Sequence, residues 1–257
     1  MKGRVIKTTG SWYEVKVGDK LIKARLRGKF KQDNLKLTNP IAVGDYVMLE
    51  NEKNQSTAVI SDILPRDNYI IRKSTRKQHF SHILASNIDQ AYLMITVRSP
   101  RTSLGFIDRF LVSAESFRIP STILINKVET LTKQKDLDFK QELHDIYDPL
   151  GYPVVELSAL NDEDLMEKFK PGLEGKTTLL AGHSGVGKST LLNRLIPDAS
   201  QATQEVSKFS SKGVHTTTFA EMFPFGEDGY FIDTPGIKEF GILDIEDHEL
   251  SHYFVEL

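Results

Sequence analysis

Gly182, Gly187, Lys188 and Ser189 stand at the spacing G-x-x-x-x-G-K-S/T, inside the run Gly182-His183-Ser184-Gly185-Val186-Gly187-Lys188-Ser189. That spacing does anion chemistry. Glycines let the backbone curl, so that several N–H groups converge on phosphate oxygens. A helix that begins there adds partial positive charge. Lys188 reaches the outer phosphates, and Ser189 offers its hydroxyl to Mg²⁺. The loop asks only for backbone at His183, so that side chain reads as packing, and Thr190 carries the chain into the helix. The elements that must position these groups stand beside them. The apolar run Thr177 to Ala181 reads as a buried strand, and Ser189 to Leu195 as the first turns of a helix.

A second set of residues reads a base. Asn126-Lys127-Val128-Glu129 ends the strand-like run Thr122-Ile123-Leu124-Ile125. It resembles the N-K-x-D motif with which GTPases select guanine, with Glu129 where Asp is usual. The Asp accepts hydrogen bonds from guanine N1–H and the 2-amino group. Glu presents the same carboxylate on a longer stem, which is compatible with guanine after a small backbone shift or with looser selection. Leu157-Ser158-Ala159-Leu160 follows the run Pro153-Val154-Val155-Glu156 and resembles the loop that backs the guanine. After the phosphate loop come Thr216-Thr217-Thr218 and Asp233-Thr234-Pro235-Gly236. The second is a D-x-x-G loop, which holds Mg²⁺ through water and senses the γ-phosphate. Thr217 is assigned to Mg²⁺ and γ-phosphate, with Thr216 and Thr218 as rivals. The order is base, base, phosphate, switch, switch, a circular permutation of the GTPase arrangement. Such a permutation is physically allowed. Sites in open parallel sheets form at the carboxyl ends of strands, which stay in place when the chain is cut elsewhere.

These ordered motifs resemble the RsgA (YjeQ/YloQ) family of GTPases that depend on the small ribosomal subunit. The likeness covers nearly the whole chain. It implies an N-terminal OB-fold β-barrel and then an α/β P-loop GTPase domain in permuted order. It implies GTP/GDP and Mg²⁺ as ligands, with the small subunit and its rRNA as partners. It also implies subunit-stimulated hydrolysis of GTP to GDP and phosphate in late subunit maturation, by a cytoplasmic monomer. The position after D-x-x-G, where many GTPases orient water with Gln, is Ile237, which cannot hydrogen-bond. The resemblance points instead to His215, since a neutral imidazole can position water. A structural or partner-contact role for His215 is the alternative. The catalytic candidates are therefore His215, Lys188 and Gly236, and the metal candidates Ser189, Thr217 and Asp233. The family also carries a C-terminal zinc-binding segment of three cysteines and a histidine. No cysteine occurs between Met1 and Leu257, so the zinc ligands are absent from these residues. Two other readings stand: a permuted GTPase acting on another RNA or protein, and an RNA-binding nucleotide switch without turnover.

Composition fits this picture. Of 257 residues, 39% are hydrophobic and 26% charged, and the absence of cysteine excludes disulfides and thiolate metal sites within these residues. No apolar run approaches a membrane span, and MKGRVIKTTG lacks the apolar core of a signal peptide. The net charge of −2 hides an asymmetry: residues 1–78 hold 17 of the 33 Lys and Arg but only 8 of the 35 Asp and Glu. A basic first part suggests a polyanionic partner. Arg27, Lys29 and Lys31 flank Phe30, and Arg72, Lys73, Arg76 and Lys77 form a second basic group. Both sets are candidates for RNA contact, by phosphate pairing and stacking. Short alternating runs separated by Gly10 and Gly18 predict about five strands, with Trp12 in the barrel core. The expected division is a barrel over 1–70, a basic linker over 71–86, the GTPase domain over 87–243 and the start of a helical segment over 244–257. His248-Glu249-Leu250-Ser251-His252 has the zinc-protease spacing but, beside a GTPase switch, reads as a polar helix face.

Overall fold

The computed structural model describes residues 1–27, 39–52, 56–73, 81–197, 199, 220–235 and 253, with the side chains of 72, 73, 81 and 82 outside that description. Five strands come first: β1 (Lys2–Thr9), β2 (Trp12–Val17), β3 (Lys20–Leu26), β4 (Tyr46–Asn51) and β5 (Ala58–Ile63). Antiparallel pairing joins β1 to β2 and β2 to β3; β3 then runs parallel to β5, and β5 antiparallel to β4. β4 returns to β1, so the circuit closes and removes its own edges. Val5, Tyr13, Val15, Val47, Leu49 and Ile60 fill the interior. Trp12 does not join them, contrary to the sequence expectation, and is 42% exposed. Successive strand residues face opposite sides, so a strand that buries Tyr13 and Val15 turns Trp12 outward.

The stretch expected to be a linker is largely a hairpin of β6 (Tyr69–Lys73) and β7 (Ser81–Ser86). Charge alone suggests a linker there. The flanking apolar residues decide otherwise: Ile70, Leu84 and Ala85 are buried in the core of the α/β domain. Burying such side chains is worth about 1.5–3 kcal/mol each for the larger ones.

The α/β domain contains β8 (Gln90–Ile95), β9 (Ser121–Asn126), β10 (Val154–Leu157), β11 (Thr177–Ala181), β12 (Glu221–Phe225) and β13 (Gly229–Asp233). The strands lie in the order β10-β9-β8-β11-β13-β12, all parallel except β12. Helices α1 (Leu104–Ser116) and α2 (Gln134–Tyr147) cover one face, and α3 (Leu165–Leu173) and α4 (Lys188–Leu195) the other. A sheet covered on both faces needs strands that are apolar on both faces, and every residue of β11 is buried. The winding reverses between β8 and β11. In such sheets ligands bind at the carboxyl ends of the strands beside that reversal, and β11 runs there into the phosphate loop.

Barrel and sheet are joined. β12 also pairs with β1 at Lys7 and Glu221, whose side chains form a 2.8 Å ion pair. Arg4 on β1 donates 3.0 Å hydrogen bonds to the Asn87 carbonyl and to Oγ1 of Thr177, the first residue of β11. Lys16 on β2 donates to the Tyr230 hydroxyl at 2.8 Å. Behind these contacts lies a buried carboxylate, Asp45, shared by Arg66 and Ser86.

Candidate nucleotide site

The phosphate loop leaves β11 through Gly182 and enters α4 through Gly187. Both hold positive φ, 146° and 107°. Neither has room for a side chain: a Cβ would lie 2.2 Å from the Met94 carbonyl oxygen at Gly182, and 2.2 Å from Asn126 Nδ2 at Gly187. The second approach is informative, because it presses the phosphate loop directly against the base motif. Lys188 opens α4 and is nearly buried. Its Nζ donates to the carbonyls of Gly182 and His183, each at 2.9 Å, across the mouth of the loop. Burial pushes this ammonium below its ordinary pKa, and the charge of Asp233 opposes that shift. A cation so desolvated favours an anion arriving beside it.

Asp233 ends β13 and is buried, one strand over from the loop, in register with Leu180. Thr234 fixes the turn after it by donating from Oγ1 to the Leu180 carbonyl at 2.9 Å. Ser189 is half-buried in the first turn of α4, while Ser184, Gly185 and Thr190 are exposed. The His183 ring stacks on buried Phe106 with centroids 3.9 Å apart, and its carbonyl accepts from Lys188. Val186 is fully buried.

The base motif sits at the end of β9, two strands from β11. Asn126 is 3% exposed and bridges two loops. Its Nδ2 donates to the Val186 carbonyl at 2.7 Å, and its Oδ1 accepts from the Ala159 N–H at 2.8 Å. One side chain thereby fastens the base motif, the phosphate loop and the Ser158–Leu160 loop together. Lys127 adopts a left-handed φ of 65°. Its Nζ donates to the carbonyls of Ser99 and Gly185, at 2.8 and 2.7 Å. Val128 and Glu129 lie in a short 3₁₀ turn, with the Glu129 side chain exposed. Ser158 and Ala159 are buried, whereas Leu160 is 70% exposed.

The structure thus brings together the candidate residues from 126–129, 158–160 and 182–190 with Asp233. His215, Thr217 and Gly236 lie outside the described residues, as do Thr216 and Thr218. Of the basic candidates, Lys29, Lys31, Arg76 and Lys77 also lie outside, as do the side chains of Arg72 and Lys73. Arg27 is exposed on the barrel and ion-paired with Glu50 at 2.9 Å. Among the described residues no group of His, Cys, Asp and Glu is placed to hold a metal ion by itself, and no helix is long and apolar enough to cross a membrane. Three contributors carry no local sequence signal: Ser99, through its carbonyl; Phe106, beneath His183; and Arg194, which reaches the Ser158–Leu160 loop from the end of α4.

Comparison with known proteins agrees with this geometry. The family model described as RsgA GTPase matches residues 63–243, and that of the RsgA N-terminal domain matches residues 2–60. A Bacteroides fragilis protein named small ribosomal subunit biogenesis GTPase RsgA is 49% identical over all of this chain and 82% of its own length. A protein of the same name from Azobacteroides pseudotrichonymphae is 50% identical over the same shares. Among solved structures, YjeQ from Thermotoga maritima superposes with a TM-score of 0.72 at 35% identity, over 100% of this chain and 82% of that one. YloQ, described as a circularly permuted GTPase, superposes with a TM-score of 0.65 at 30% identity, over 99% and 77%. A five-stranded barrel, a permuted nucleotide sheet and relatives of this closeness make the chain a member of the RsgA GTPase family.

Proposed function

We propose that this chain binds the small ribosomal subunit in its GTP state, hydrolyses GTP there during late maturation, and leaves as the GDP form. The observation that carries the nucleotide half is Asn126, which joins base and phosphate motifs into one site although their chain order is reversed. The ribosomal half rests on the relatives' names and on the excess of basic residues over 1–78.

In this reading the N–H groups of Gly182–Ser189 and the Lys188 ammonium hold the phosphates. Loop 158–160 and Glu129 face the guanine. Ser189 and Asp233, with Thr217, hold Mg²⁺, which neutralises charge developing on the phosphoryl oxygens. His215 orients the attacking water, and Gly236 senses the γ-phosphate. The basic side chains at Arg27, Lys29, Lys31, Arg72, Lys73, Arg76 and Lys77 meet rRNA phosphates. The barrel that ends with β5 is the RNA-facing part and the α/β domain, with the β6–β7 hairpin in its core, the GTPase, acting as a monomer in the cytoplasm.

Co-sedimentation tests the cycle. Protein loaded with a non-hydrolysable GTP analogue is expected to pellet with purified small subunits and not with large ones, and the GDP form to stay in solution. Equal pelleting of both forms, or with both subunits, contradicts it.

Asn126→Ala leaves the Val186 carbonyl and the Ala159 N–H buried without this partner. At about 1–3 kcal/mol for each such group, GDP binding is expected to weaken roughly 100-fold. A fluorescence titration measures this, and an unchanged affinity would remove Asn126 from the site.

A further inference from the structure

We infer that Arg194 is a positioning residue for the guanine base, acting from the last turn of the helix whose first turn holds the phosphates. The inference rests on the reading that loop 158–160 faces the base. Arg194 lies on α4, and its guanidinium points away from the phosphate end into loop 158–162. Nη1 donates to the Leu160 carbonyl at 2.8 Å and, more weakly, to the Ala159 carbonyl at 3.4 Å. Nη2 donates to the Asp162 carbonyl at 2.5 Å. Three carbonyls of one loop backbone are thus held by one planar, permanently charged fork.

The rest of the loop is wound tightly around this clamp. The Ser158 N–H donates to Asp162 Oδ2 at 2.9 Å, and the Asn161 N–H donates to Ser158 Oγ at 3.1 Å. These bonds close the loop on itself but do not set its height above the sheet. Two contacts do that: the Asn126 bond to the Ala159 N–H from one side, and Arg194 from the other. Carbonyls tied to Arg194 face α4, the Asn161 and Asp162 N–H groups turn inward onto the Ser158 carbonyl at 3.1 and 2.9 Å, and the Leu160 side chain between them is 70% exposed. Because α4 begins at Lys188, any shift of the helix with the phosphates moves the base loop with it. Arg194 therefore sets the span between the two ends of the nucleotide without touching either.

The test uses the full chain and its Arg194→Ala and Arg194→Lys variants, each checked by its melting profile. Affinities are measured for GDP, ADP and inorganic tripolyphosphate, the last being able to use the phosphate loop alone. Arg194→Ala is expected to weaken GDP about tenfold through faster release, to leave tripolyphosphate within about twofold, and to shrink the preference for GDP over ADP. Arg194→Lys recovers part of the loss, since an ammonium replaces the fork with a point charge. Unchanged GDP binding in Arg194→Ala, with wild type still preferring GDP over ADP, overturns the role of Arg194 and spares the base-loop reading. Equal weakening of GDP and tripolyphosphate also overturns it, showing a general effect on α4. A wild-type protein without preference for GDP over ADP overturns the base-loop reading and the inference together.

Discussion

Lys188→Met is expected to slow GTP hydrolysis at least about 100-fold, the scale on which a single preorganised donor to a reacting oxygen acts. Met keeps the length and apolar body of the side chain and removes the charge. In the structure that charge is nearly buried, held below its ordinary pKa by desolvation, and parked on the Gly182 and His183 carbonyls. Phosphate would replace two neutral acceptors with an anion, so binding raises the Lys188 pKa. The sign follows. GDP binds most tightly where unliganded Lys188 is protonated, and weakens as the pH rises through its depressed pKa. Lys188→Met is expected to flatten that alkaline limb as well as to lower affinity. The fold itself should survive, because the variant removes a buried charge whose desolvation is a cost in the unliganded protein. Affinity measured against pH, with melting as the control, checks all three statements. A variant that keeps wild-type turnover contradicts the role given to Lys188.

The largest effect on stability is expected at Asp45. Its carboxylate is fully buried and accepts four hydrogen bonds. Arg66 gives two, from Nε and Nη2, both at 2.6 Å; Ser86 Oγ gives one at 2.6 Å, and the Ala42 N–H one at 2.8 Å. These bonds tie the barrel at 42–45 to the segment after β5 and to the end of β7. Gly44 is pressed onto the same place: at φ of 96°, a Cβ there would lie 2.1 Å from the Ser86 carbonyl oxygen. Asp45→Ala strands the Arg66 guanidinium in a largely buried position, a loss of about 3–5 kcal/mol. For a protein of this size that is a fall in melting temperature of roughly 10 °C. Asp45→Asn keeps acceptor capacity on one oxygen and should fall between the two. Calorimetry or thermal fluorescence measures the shift, and a loss below about 1 kcal/mol, the level of an exposed ion pair, would show the network to be incidental.

The parts legible in the sequence are those written locally. β11 and α4 follow from five uninterrupted apolar or Thr residues, a glycine spacing and a helical start, all within one stretch of chain. The barrel follows from alternation, and the same parity argument, applied strictly, places Trp12 outside beside buried Tyr13 and Val15. The pairing of β6 with β7 is not legible in composition, because basic residues dominate the stretch between two apolar pairs. What sequence does not show is pairing at a distance. Asp45 meets Arg66 and Ser86 across 21 and 41 residues, and Arg194 meets Asp162 across 32. No spacing rule links such partners; only the folded sheet does. The site shows the same limit. Motif order is readable as a permutation, whereas the bridging of three loops by Asn126 is visible only in space.

The central claim is that the reversed motifs form a guanine-selective site whose turnover answers to the small ribosomal subunit. Its most direct test is the rate of phosphate release by this chain from GTP and from ATP, alone and with purified small or large subunits. The expected result is slow release from GTP alone, strong stimulation by small subunits, none by large subunits, and little release from ATP throughout. Equal stimulation by both subunits, or equal turnover of ATP and GTP, would contradict the claim.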